Sequence, residues 1–126
     1  MSTIKTIARA EGIPLARLDE MVWIGDIAAL GALRYPQRPA LIFAERQKTL
    51  TYAELERYSN AFVEQLKQRG LNPGDRIAYL GRNSDLYYPV LFGAIRAGVV
   101  LVPLNWRQSA AEVAFQLEDS QARWLL

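Results

Sequence analysis

The 126-residue chain has no cysteine and no histidine. Those absences exclude disulfides, thiolate nucleophiles, imidazole bases and the usual zinc ligands, so any metal would have to be held by oxygen. No metal site is expected. Net charge is also scarce: 15 Lys and Arg stand against 13 Asp and Glu, leaving +2. The basic residues are scattered singly, without the stripe that a phosphate backbone needs, and no nucleic-acid partner is expected. Internal repeats and low-complexity tracts are missing too. About half of the chain is apolar and 22% is charged, the balance of an ordinary globular domain. A cysteine-free chain is compatible with a reducing compartment, and a cytoplasmic location is the expectation.

Residues 1–18 lack the continuous apolar core of a secretory signal, because Lys5, Arg9, Glu11 and Arg17 interrupt them. The three basic residues leave a transit peptide open, while Glu11, Gly12 and Pro14 favour a loosely docked arm over residues 1–20. Residues 86–104 approach the length of a membrane span. Arg96 within them, Gly98 and Pro103 instead read as a buried helix turning into a buried strand, so no membrane span is expected.

What is present has clear periodicity. Trp23, Ile27, Leu30 and Leu33 recur at helical spacing, and Tyr35-Pro36 ends the run. Residues 40–44 are apolar, residues 45–48 polar, and Thr49-Leu50 resumes: a small hairpin whose turn lacks the favoured Gly or Asn. Thr51-x-x-Glu54 fits a capping box, followed by Leu55, Tyr58, Phe62 and Leu66 on one helical face and Arg69-Gly70 at its end. Residues 77–80 read as a strand. A helix follows to Ala97, starting either near Ser84 with an irregular first turn or closer to Pro89. Residues 99–102 form a β-branched run that suits a strand buried on both faces. Ser109-x-x-Glu112 is a second capping box, with Ala110, Val113, Ala114 and Leu117 as the apolar face, and Trp124-Leu125-Leu126 begins another strand. The order strand, helix, strand, helix, strand predicts an α/β fold: a parallel sheet with right-handed crossover helices plus a small N-terminal hairpin. A sequence that stops inside an apolar strand reads as an incomplete domain, with a terminal edge strand as the alternative.

Few residues point to chemistry. Gly81-Arg82-Asn83-Ser84 follows a strand, where ligands bind in open parallel sheets, but one glycine makes an ordinary capped turn the better reading. Gly93 and Gly98 read as close helix packing and a helix end. Glu118-Asp119 reads as a solvated helix terminus, and no carboxylate pair suits acid–base work. The Tyr87-Tyr88 pair and the tryptophans read as core or interface. Asn105-Trp106-Arg107 lies in a loop after a buried strand, where functional residues gather, and an arginine there can grip a phosphate.

In order, the segments Leu50-Thr51-Tyr52-Ala53-Glu54-Leu55, Gly74-Asp75-Arg76-Ile77-Ala78, Asn83-Ser84, Ala97-Gly98-Val99-Val100-Leu101-Val102-Pro103-Leu104-Asn105 and Leu117-Glu118-Asp119-Ser120 resemble the opening of the adenylate-forming superfamily. That family includes acyl-CoA synthetases, peptide-synthetase adenylation domains and luciferases. The resemblance covers about residues 22–126. It implies that residues 21–126 are part of the large N-terminal domain of an acid–thiol ligase. Such a ligase joins a carboxylate to ATP, releases pyrophosphate, and then passes the acyl group from AMP to CoA or another thiol. ATP, Mg²⁺ and CoA are thereby implied for the parent enzyme, with the remainder of the ligase chain and a small carboxylic acid as partners. None is expected to bind this chain alone. The family's Ser/Thr/Gly-rich phosphate loop and its lysines have no match here, so no catalytic residue can be carried over. The Asn-x-Arg after Val-Pro-Leu is matched by Asn105-Trp106-Arg107, which implies a CoA-phosphate contact at Arg107 with Asn105 beside it. Trp106 replaces the small residue or proline usual there.

Two other readings compete. A free-standing binding module would have to cover its last strand, most simply by forming a homodimer. An unrelated doubly wound domain, flavodoxin-like or receiver-like, would need a hydroxyl-rich phosphate loop or acidic residues at strand ends, and the chain has at most a weak version of the first.

Overall fold

A computed structural model describes residues 24–82 and 84–126. The expected arm over residues 1–20, Trp23 and Asn83 lie outside the described residues. A short 3-10 turn at Ile24–Asp26 leads into helix α1, Ile27–Arg34. The hairpin follows as β1, Pro39–Phe43, and β2, Lys48–Thr51, paired antiparallel. Its connection is a 3-10 turn at Ala44–Arg46, and Gln47 takes the left-handed conformation that Gly or Asn would ordinarily fill.

Helix α2, Tyr52–Gln68, starts at the capping box read from the sequence: the Thr51 hydroxyl accepts from the Glu54 N–H, and the Glu54 carboxylate accepts from the Thr51 N–H at 2.9 Å. Strand β3, Arg76–Tyr79, is joined through α3, Tyr87–Arg96, to β4, Val100–Pro103. Helix α4, Ala110–Ser120, then leads to β5, Trp124–Leu125. Its own capping box joins Ser109 and Glu112. Pro89 sits in the first turn of α3, where a missing N–H costs no helical hydrogen bond, so the irregular start over residues 84–86 needs no strain.

The three strands are parallel in the order β4-β3-β5. The chain crosses from β3 outward to β4, then back over β3 to β5. Right-handed crossovers in opposite directions place α3 and α4 on opposite faces. On the α3 face, Phe62 and Leu66 from α2 meet Ile77, Val90, Ala94 and Val99 in a closed core, with Leu101, Trp124 and Leu126 packed against it. Gly93 permits this approach: a Cβ there would stand 2.7 Å from the Ser59 carbonyl oxygen. Fully buried Ser59 donates its hydroxyl to the Leu55 carbonyl at 2.7 Å, so its own polar group is satisfied.

Two expectations are corrected. The β4 strand is fully buried on neither face: Val100 is 49% exposed, Pro103 is exposed, and Leu101 and Val102 are half-buried. A β-branched run reports strand preference, whereas burial depends on what packs from elsewhere. In α1 the residues expected to face inward, Ile27 and Leu33, are half exposed, and Ala28 is buried instead against Leu55 and Phe92. The contact is made by small residues because α1 lies close to α2: a Cβ on Gly31 would fall 2.0 Å from the Tyr52 ring. Arg96 secures this end of the molecule. Its guanidinium donates to the Gly25 carbonyl and the Asn60 side chain, each at 2.7 Å, and to Glu56 at 2.5 Å.

Candidate functional site

In a parallel sheet, the loops that leave the carboxyl ends of neighbouring strands share one edge. Residues 80–84 leave β3 and residues 104–109 leave β4, so Arg82 and Arg107 are brought to the same rim. Tyr79 holds the first loop: its hydroxyl donates to the Arg82 carbonyl at 3.2 Å and lies 3.1 Å from the Ser84 hydroxyl. Asn105 holds the second, its side-chain oxygen accepting the Arg107 N–H at 3.0 Å. Asn105 is thus spent on shaping the loop and does not line the cleft, while Arg107 does.

The cleft has a volume of about 540 Å³ and is lined by Glu45, Arg46, Arg82, Trp106 and Arg107. Trp106 forms its middle. The Arg82 and Arg107 guanidinium carbons lie 4.2 and 4.7 Å from the Trp106 ring centroid, within cation–π range. Trp106 is 41% exposed, so the indole carries the arginines while remaining accessible. Three guanidinium groups against one carboxylate leave a cationic lining. Their planar forks suit phosphate or carboxylate oxygens.

The hairpin supplies the third arginine. Buried Asp85, just before α3, pairs with Lys48 at the start of β2, and its other oxygen lies 3.8 Å from Arg46. The Lys48 ammonium holds the Asp85 carboxyl below the usual carboxylate range, and Asp85 in turn raises Lys48. Of the residues singled out in the sequence, Arg107 and Trp106 reach the cleft, and Arg82 joins them from the loop read as an ordinary turn. Arg46 and Glu45 were read only as hairpin turn. The shared sheet edge could have grouped Arg82 with Arg107; no local signal docks the hairpin there.

An open parallel layer with its loops gathered at the carboxyl edge defines a doubly wound α/β class. The match is more specific than that: a family model described as AMP-binding enzyme matches residues 30–126, and the chain belongs to that family. Among its relatives, the fatty acid–[acyl-carrier-protein] ligase ScoC of Streptomyces coeruleorubidus is 51% identical over 90 residues, covering 71% of this chain and 17% of its own length. A long-chain-fatty-acid–CoA ligase of Yersinia pestis is 42% identical over 93 residues, covering 72% of this chain and 16% of its own. The solved structure of a Mycobacterium tuberculosis fatty acyl CoA synthetase superposes with a TM-score of 0.79 at 33% identity, over 85% of this chain and 21% of that one. The inhibitor-bound N-terminal domain of FACL13 from the same organism gives 0.77 at 32%, over 81% and 26%. The chain therefore resembles the N-terminal part of acyl-CoA and fatty acid ligases and spans about a sixth of the length of these two curated relatives. No helix among the described residues is long and apolar enough to cross a membrane.

Proposed function

We propose that this chain supplies the opening α/β layer of an ATP-dependent acid–thiol ligase of the acyl-CoA synthetase kind, with fatty acids as the substrate class its relatives' names favour. The observation that carries this reading is the position of Arg107: family membership and the basic cleft at the carboxyl edge coincide at that residue. Arg107 contacts the nucleotide phosphates of CoA, and Asn105 acts indirectly by fixing the loop that presents it. Such a ligase also uses ATP and Mg²⁺. Among the described residues no group of three or more Asp, Glu, His or Cys could hold a metal ion, and no step through Mg²⁺ is assigned to this chain. The remainder of the ligase is the chain's principal partner, and the enzyme works in the cytoplasm.

The two half-reactions separate the claims. The purified chain, given ATP, magnesium, labelled pyrophosphate and carboxylic acids, shows no exchange above a heat-treated control; clear exchange would overturn the reading. In a ligase carrying this segment, Arg107→Ala raises the KM for CoA roughly tenfold, the loss of one charge-assisted hydrogen bond. Adenylation, followed by pyrophosphate exchange, stays unchanged. A KM for CoA that does not move would remove Arg107 from the thiol site.

A further inference from the structure

The cleft has a wall that neither strand-end loop provides. Arg46 belongs to the hairpin, a separate two-stranded unit, yet it lines the same cavity as Arg82 and Arg107. Its side chain is 69% exposed and lies 3.8 Å from Asp85, whose own side chain is only 9% exposed. Asp85 is in turn fixed by Lys48, two residues from Arg46 on the hairpin. One buried carboxylate thus holds the hairpin strand through a hydrogen-bonded ion pair with Lys48 and lies within ion-pair reach of Arg46 at the turn.

We infer that Arg46 is a third anion-contacting residue of the cleft and that Asp85, held by Lys48, is the positioning residue that aims it. The inference rests on the reading of the cleft as a phosphate site and adds the hairpin to it. An unrestrained arginine loses side-chain entropy when it is immobilised. A tether formed before the ligand arrives lowers that cost at the moment of binding. Arg107 and Arg82 have their own support in the Trp106 ring; Arg46 has Asp85. Three cations on three separate segments suit a ligand with phosphate groups at more than one position, as in a nucleoside bisphosphate.

The positioning role makes a prediction of unusual sign. Asp85 carries negative charge beside a basic cleft, so on Coulomb grounds alone its removal tightens anion binding. If it aims Arg46, removal loosens binding instead. The probe is adenosine 3′,5′-bisphosphate, titrated calorimetrically into a ligase carrying this segment. Arg46→Ala weakens binding about three- to fivefold, the upper part of the range for losing one exposed ion pair. Asp85→Asn weakens it about threefold, and in the Arg46→Ala background it has no further weakening effect. Should Asp85→Asn fail to melt cooperatively, Asp85→Glu keeps the charge and moves it by one methylene; it also weakens binding, and unchanged affinity there counts against positioning. Tighter binding by Asp85→Asn, or unaltered binding by Arg46→Ala while Arg107→Ala abolishes it, overturns the inference and leaves the phosphate reading standing. Failure of the unmodified ligase to bind the probe overturns both.

Discussion

The two faces of the three-stranded sheet are built to different standards. Against α2 and α3, Leu66, Ile77 and Ala94 lose all solvent contact, and Phe62, Val90 and Val99 nearly all. Against α4, Val100 and Leu125 keep 49% and 43% of their surface, Phe115 keeps 67%, and no residue of α4 is buried. Yet both helices begin with complete capping boxes and both carry apolar residues at helical spacing. A capped amphipathic helix can therefore be fully specified by its own sequence and still contribute little to the core. Burial is decided by what the rest of the molecule brings to its face.

The sharpest way to break this contrast is Leu66→Asp. An unpaired carboxylate at a fully buried position costs several kcal/mol, comparable with the whole stability of a small domain. The expected outcome is loss of cooperative melting in circular dichroism; a retained melt at the original temperature would remove Leu66 from the core. Next in size is Gly93→Ala. Its Cβ would press on backbone, which cannot rotate away, and the expected loss is about 1–3 kcal/mol in urea titration.

A smaller effect separates the two caps by pH. The backbone N–H and hydroxyl of Thr51 hold Glu54 below its ordinary pKa, and the hydroxyl and backbone N–H of Ser109 do the same for Glu112. A lowered folded pKa means stability that is present above the unfolded value, about 4.3, and lost as pH falls through the lower folded one. Asp75, held down by the Asn72 N–H and then by Arg123, and Asp85, held down by Lys48, act in the same window. The melting temperature is accordingly flat from about pH 5 to 8 and falls below about pH 4. Glu54→Gln should blunt that acid loss more than Glu112→Gln, because α2 is anchored in the core and α4 is not. Equal effects would show that the two faces are energetically alike. The smallest change is Phe115→Ser, expected within about 0.5 kcal/mol of the parent protein; a loss above about 2 kcal/mol would place a hidden core under α4.

The caps, the element order and the buried face of α2 were legible because each depends on residues within a turn or two of one another. The fold class follows from the same local signals, and β3, β4 and β5 align in parallel as the alternation of strand and helix requires. The inner face of α1 was not legible. Its large residues Ile27 and Leu33 have the right spacing, but closeness to Tyr52 selects Ala28 and Gly31 for the contact. The cleft was legible by halves. Arg107 stood out as a loop residue after a strand; Arg46 did not, because its approach depends on a Lys48–Asp85 pair that spans 37 residues. Singly scattered basic residues in a sequence are no guide to their spacing once loops converge.

Arg96 has a consequence for motion. One guanidinium, carried by α3, holds the turn before α1 and two residues of α2. A lysine in its place has a single nitrogen and cannot spread its donors over these three separated partners as the guanidinium fork does. The segments cannot loosen independently while the arginine stays in place, so the backbone amides of α1 and of the carboxyl end of α3 exchange with solvent deuterium in a single shared opening. With lysine at this position, α1 would exchange on its own and earlier.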